Sequence, residues 1–321
     1  MYFPLNYLKE LVRVMKKVIS ISLGSSSRDH RVETDILGEH FIIERRGTDG
    51  DKEEARYLFN QLDGKYDAFG LGGIDLYIYS AGKRYTFRDA KKLIKNIKKT
   101  PVVDGSGLKN TLERRVITYV AENLGMNLKD KKVLMVSALD RFGMAESFVD
   151  FNSDITFGDL IFALNLPLPI RSVNILEKVA KLILPVVTKL PFELFYPTGD
   201  KQDKENTKHR YEKYYQEADI IAGDYHYIKK YMPKKMDNKI IITNTVTDKD
   251  VQVLRRRGVE KLITTTPELN GRSFGTNVME GVLVAIAEKQ PENLTTDDYM
   301  SLLDKMNFTP RVVDFNKNLA S

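Results

Sequence analysis

Asp104 and Lys109 stand five residues apart in VVDGSGLKNTLERR (102–115), where a short apolar strand ends, two glycines turn the chain and a helix begins. A lysine beside a carboxylate in a cleft can exchange a hydroxyl proton, so Asp104 and Lys109 are the candidate catalytic pair. Free N–H groups at a helix start also attract anions. The loop therefore has two readings: an ordinary capped helix start, or a phosphate or carboxylate site. It is not a Walker loop, because only Leu108 separates Gly107 from Lys109 and Asn110 follows the lysine.

A second strand-turn-helix unit reads KVLMVSALDRFG (132–143). Aligned to G-x-G-x-x-G, it places Ala138, Asp140 and Gly143 at the glycine positions. The third glycine permits close helix packing, whereas an aspartate at the second repels a pyrophosphate, a charge that Arg141 would compensate. Asp159 follows Ala138 by 21 residues, close to the spacing of a ribose-binding acid, and a carboxylate there favours NAD over NADP. The candidate cofactor contacts are Ser137, Asp140, Arg141, Gly143 and Asp159, with Asn244 and Thr245 at the end of the apolar strand 239–245. Two readings stand here as well: a site for NAD or NADP, or a Rossmann-like core whose loop holds another ligand or none.

Three further loops follow strand ends: GSSSRDH (24–30), GLGGID (70–75) and TTTPELNGRSFGTN (264–277). In open α/β sheets such carboxyl-end loops converge on the ligand crevice. Ser25, Arg28 and Arg272 are the candidates for gripping a substrate carboxylate or phosphate, against the alternative that each arginine is a turn residue in a surface ion pair. The histidines at 30, 40, 209 and 226 lack metal-ligand spacing, so no metal site is expected; His226, after a strand end, is the one candidate proton carrier. Absence of cysteine excludes disulfides, thiolate metal sites and a cysteine nucleophile.

These loops need elements to hold them. Short, β-branched, two-sided apolar strands at 131–137, 219–224, 239–245 and 261–266 alternate with helix-compatible sequence, which predicts a Rossmann-like parallel sheet with helices on both faces. A smaller α/β domain precedes it, with hairpins about Gly38-Glu39 and Ala81-Gly82, a helix over 51–62 and a lysine-rich helix over 88–99. The expected organisation is an extension at 1–14 with Met15 as a candidate start, a substrate-type domain at 15–106, and the Rossmann-like domain at 107–321. An apolar insert at 160–197 is read as short helices covering the sheet edge or forming a homo-oligomer interface; a lid over an apolar ligand and an interfacial membrane helix are its alternatives.

Fifty basic residues against 44 acidic ones give a formal charge of +6, but the two signs are interspersed. That distribution suits a small anionic substrate and argues against nucleic acid. No run of about 18 apolar residues is present, so no transmembrane helix is expected, and with no signal peptide recognised the expected location is cytoplasmic.

Taken together, SLGSSSRDHRVE, GLGGIDLYI, TPVVDGSGLKNTLERR, VSALDRFGMAE, FGDLIFAL and TTTPELNGRSFGTN resemble a bacterial family labelled quinate 5-dehydrogenase, over nearly the whole chain from Met15. The resemblance implies NAD(P)-dependent oxidation of a hydroxyl on a small cyclic hydroxy acid such as quinate or shikimate, with a substrate domain preceding a Rossmann domain. Shikimate and quinate dehydrogenases carry a G-A-G-G-type turn where this sequence has Ser137-Ala138-Leu139-Asp140. The alternative is a non-redox Rossmann-like module for a phosphorylated or nucleotide-like ligand, its apolar insert docking to a partner or membrane.

Overall fold

A computed structural model describes residues 15–80, 82–191, 211–266 and 275–316, and the backbone at 268–269 and 272–273. Its first sheet begins with β1 (Met15–Ser22), an apolar strand buried on both faces and therefore central. β2 (His30–Ile36) and β3 (Glu39–Gly47) form the expected hairpin. α1 (Lys52–Leu62) then crosses to β4 (Ala68–Gly72); Asp51 caps it by accepting from the Glu53 and Glu54 amides. β5 (Tyr77–Ser80) and β6 (Lys83–Thr86) make a second hairpin, followed by α2 (Arg88–Leu93) and β7 (Val102–Val103). The sheet order is β2-β3-β1-β4-β7, with only β2 antiparallel.

α2 stops at Leu93 instead of continuing to Lys99. The carboxylate of Asp63 accepts from the amides of Lys98, Lys99 and Thr100, drawing this segment out of helical geometry.

α3 (Ser106–Glu122) leads to β8 (Lys132–Met135), α4 (Phe142–Asp150), β9 (Asp154–Phe157), the single turn α5 (Asp159–Phe162) and α6 (Val173–Val187). After α7 (Glu212–Glu217) come β10 (Ile220–Gly223), α8 (Tyr225–Tyr231), β11 (Ile240–Thr243), α9 (Asp248–Arg256) and β12 (Lys261–Thr264). The short pair β13 (Glu268–Leu269) and β14 (Arg272–Ser273) precedes α10 (Thr276–Ala287), α11 (Thr296–Lys305) and β15 (Arg311–Asp314). The second sheet runs β15-β12-β11-β10-β8-β9. It is parallel as expected, except that β15 closes the edge antiparallel to β12. This edge strand did not stand out in the sequence, because four residues, RVVD, carry too little periodicity.

Both sheets share one topological device. The chain leaves β1 for β3 on one side and returns to β4 on the other; it leaves β8 for β9 on one side and returns to β10 on the other. Each sheet thus has a switch point beside its first strand, where loops diverge and leave a crevice.

A continuous apolar core joins the two sheets: Val18, Ala68 and Val103 on one side, α3, α4 and α10 in the middle, and Val133, Met135, Ala222 and Ile263 on the other. α10 follows β12 in sequence yet packs on the first sheet, against β1 and β4. Its close approach requires glycine at Gly70, where a Cβ would lie 2.9 Å from Asn277 Nδ2. The insert contributes α6, whose Ala180 and Leu184 join the apolar cluster on the opposite face of the first sheet, while Ile175, Leu182 and Val186 face solvent. No described helix is long and apolar enough to cross a membrane.

Candidate functional site

Lys109, in the first turns of α3, pairs with Asp75 rather than with Asp104. Its Nζ donates to Asp75 Oδ1 at 2.8 Å, and the two side chains are only 11% and 15% exposed. Asp75 lies in the loop that follows β4 at the first switch point. Burial disfavours both charges, but the carboxylates of Asp75, Asp140 and Asp104 more than offset it at Lys109, whose pKa is raised. Burial dominates at Asp75 and pushes its carboxyl up to about 6, against the pull of Lys109. The pair combines a firmly held ammonium with a carboxylate whose affinity for a proton burial raises, which suits stabilising an oxyanion with one member and accepting a proton with the other.

Asp104 is committed elsewhere. Its Oδ2 accepts from the amides of Leu76 and Tyr77 at 2.6 and 2.9 Å. Its Oδ1 accepts from the Ser106 amide and hydroxyl at 3.0 and 2.7 Å. It fixes the start of β5 and of α3, and so aims Lys109 without meeting it. The start of α3 is further closed by Glu280 of α10, whose Oε2 accepts from the Gly105 amide at 2.7 Å and whose Oε1 accepts from Tyr299 at 2.8 Å. The helix-start donors that invited an external anion thus face two internal carboxylates. Burial raises Glu280 to about 8.

In the loop that follows β1, Ser25 caps the short 3-10 turn Ser26–Arg28 by accepting from the Ser27 amide. Two guanidiniums converge over Gly24: a Cβ there would lie 2.9 Å from Arg28 Nη2 and 3.0 Å from Arg45 Nη2. Arg45 also donates to Ser25 O, Asp29 Oδ1 and Ser22 Oγ. Burial, reinforced by the neighbouring Arg28 charge, lowers Arg45 to about 10 despite Asp29. Two closely placed cations, one of them largely desolvated, favour an anion between or beside them. Arg45 escaped the sequence reading because it lies in a strand taken for one arm of a hairpin; its position two residues before the strand end at Gly47 was the available signal. Arg272 is placed by its backbone in β14, and its side chain lies outside the described residues.

The second switch point is closed from within. Asp159 Oδ1 accepts from the amides of Ala138 and Leu139, at 2.9 Å each. These are turn donors that a dinucleotide's diphosphate would need. Asp159 therefore points inward onto the turn and not outward to a ribose, and burial raises it to about 7. Arg141 does not serve as a compensating charge on an open loop. It is fully buried, ion-paired with Glu113 of α3 and, at 3.3 Å, with Asp224 after β10; Asp140 lies 3.8 Å from its Nε. Ser137 Oγ accepts from the Asp224 amide. Asn244 donates to Asp224 and accepts from the Tyr225 amide, fixing the start of α8, and Thr245 follows, half-buried. His226 sits in the first turn of α8, where its amide donates to Asp224.

Gly143 serves packing: a Cβ there would meet Asn110 Oδ1 and O at 2.6 and 2.7 Å, so α4 approaches α3 closely only with glycine. As built, the turn does not fit a diphosphate, because the Asp159 carboxylate already takes the amides that would hold one. Among the described residues no group of three or more His, Asp or Glu is arranged to hold a metal ion.

A family model described as Domain of unknown function (DUF8754) matches residues 107–315. The chain belongs to the DUF8754 family. A second model, described as Domain of unknown function (DUF8753), matches residues 17–104 of this DUF8754 chain. No curated protein matches the sequence. Similar solved structures include a galactofuranose binding protein, 10% identical, with 91% of this chain and 98% of that chain covered and a TM-score of 0.36. The NAD-dependent malic enzyme of Thermotoga maritima is 12% identical, with 91% and 84% covered and a TM-score of 0.35. The hetero-hexameric glutamate dehydrogenase of Thermus thermophilus is 10% identical, with 91% and 74% covered and a TM-score of 0.42. The structural neighbours thus include both dehydrogenases and sugar-binding proteins, and likeness at this level does not choose between them.

Proposed function

We propose that this chain is an enzyme that moves a proton to or from a small anionic hydroxy or oxo acid held at the first switch point. The observation that carries the reading is the pairing of Lys109 with Asp75 at the carboxyl end of β4. Arg28 and Arg45, with Ser25, hold the acid's carboxylate; the Lys109 ammonium donates a hydrogen bond to its carbonyl oxygen; Asp75 takes the proton from the adjacent carbon, leaving an enolate, and returns a proton to that carbon. Asp104 and Glu280 position Lys109 by fixing the start of its helix.

The test is hydrogen exchange followed by NMR in D2O, on the cyclic oxo acids made by oxidising one ring hydroxyl of quinate or shikimate. The protein should accelerate loss of the protons on the carbon next to the carbonyl, and Lys109→Met should abolish the acceleration. Exchange at the uncatalysed rate with every such acid would overturn the proposal.

The Rossmann-like second sheet and its switch point favour one other reading, NAD(P)-dependent oxidation of the same hydroxyl, as the family resemblance implies. It requires the dinucleotide to reach the crevice without the diphosphate cradle of the β8 turn. Saturable binding of NAD+, NADH, NADP+ or NADPH would support it.

A further inference from the structure

A cleft open to solvent on one side lies between α6 and the β8 turn. Its walls are mostly carbon: Ile78 and Phe87 from the first sheet's side, Leu139 from the turn, Leu160 from α5, and Ile183 and Val187 from α6. No lysine, arginine or histidine is among the described residues that line it. An anion entering it would lose water and gain no cation. The cleft therefore differs in kind from the crevice at Arg28 and Arg45.

Its polar anchor is Asp159, which lines the cleft and is 5% exposed. One carboxyl oxygen is taken by the Ala138 and Leu139 amides; the other, Oδ2, is buried and has no hydrogen-bond partner among the described residues. A buried polar atom left in that state destabilises the fold, and a ligand completing the bond would recover that loss. Burial favours the protonated acid, whose Oδ2–H donates, and a ligand hydroxyl also satisfies the ionised form by donating to Oδ2. The other carboxylate lining the cleft, Asp140, has the buried Arg141 beside it. Ser137 Oγ is engaged by the Asp224 amide.

We infer that this cleft is a binding site for an uncharged, mainly apolar small molecule carrying one hydroxyl, anchored on Asp159 Oδ2 and covered by α6. The amphipathic insert, which the reaction at Lys109 does not use, thereby acquires a role: its inner face forms one wall.

The probe is 1-naphthol, with naphthalene and 1-naphthylmethylamine as comparators, titrated by fluorescence at neutral pH against the full chain. 1-Naphthol should bind at one site and about tenfold more tightly than naphthalene, as one added hydrogen bond predicts. Ala163 is exposed and lines the cleft. Ala163→Trp should weaken 1-naphthol by about tenfold or more while leaving the thermal midpoint unchanged. Asp159→Leu should erase the preference for naphthol over naphthalene. Because that variant also loses the bonds that hold the turn, the Ala163 substitution keeps the proposal testable if Asp159→Leu fails to fold. Unchanged 1-naphthol affinity in Ala163→Trp, tighter binding of the ammonium than of the alcohol, or competitive displacement of 1-naphthol by NADH would each overturn the assignment.

Discussion

The two sheets repeat one topology and treat their switch points in opposite ways. Beside β1, the loops bring Arg28 and Arg45 together over Gly24 and set Lys109 against Asp75. Beside β8, Asp159 caps the turn amides and Arg141 is locked between Glu113, Asp140 and Asp224. The first switch point gathers two guanidiniums with Asp29 and a Lys109–Asp75 pair, whereas at the second a carboxylate takes the turn amides themselves. A strand order in which the chain steps to one side of its first strand and returns on the other thus says where a crevice lies, whereas the side chains that face it decide what enters.

The contrast is broken most severely at Arg141. Arg141→Met leaves Glu113 buried beside Asp140 and Asp224 without its cation, and should cost about 3–5 kcal/mol in urea unfolding. A loss below about 1 kcal/mol would mean that the ion pairs are dispensable. Next, Lys109→Met should lower catalysed proton exchange by about 100-fold or more; it also strands the buried Asp75 carboxylate, so the rate is compared per folded protein, at a temperature below the variant's unfolding. Equal exchange rates in variant and parent would move the chemistry elsewhere.

A pH effect sharpens the same comparison. Glu280 is raised to about 8 and Asp159 to about 7, so between about pH 4.5 and about pH 8 the native state binds more protons than the unfolded chain, where carboxyls titrate near 4. Stability is therefore highest at the acid end of that window and falls as pH rises through it, by on the order of a few kcal/mol. Glu280→Gln should flatten the fall nearest pH 8, read from urea midpoints at successive pH values; an unaltered slope would contradict the assigned proton.

Smaller effects follow from packing and from the cationic mouth. Gly70→Ala sets a methyl against Asn277 and should cost about 1–3 kcal/mol through overpacking where α10 meets β4. Arg28→Gln should weaken binding of the small anionic acid by about tenfold without touching stability, as expected for one charge-assisted contact. Unchanged affinity would remove Arg28 from the site.

Much of the scaffold was legible in the sequence, because two-sided apolar strands and amphipathic helices recur with the right spacing. Gly143 was legible too, since close helix packing follows from its place in the turn. The direction of Asp159 was not: a spacing of 21 residues fixes where a carboxylate sits in the chain and leaves open whether it turns outward or back onto its own loop. Asp75 was missed as the partner of Lys109 because 34 residues separate them and Asp104 stood nearer in sequence. Nearness in sequence misled here, since Asp104 is consumed by four other donors, the Leu76 and Tyr77 amides and the amide and hydroxyl of Ser106. Glu280 left a signal that went unread: it is the lone charge in the apolar helix TNVMEGVLVAIA, where only a buried partner would keep it.

That the β8 turn satisfies its own amides and leaves no diphosphate cradle is tested most directly by calorimetric titration of the intact protein with NAD+, NADH, NADP+ and NADPH. The closed turn predicts no saturable heat with any of the four. One-to-one saturation by any of them, lost when Ser137→Trp obstructs the turn, would contradict it.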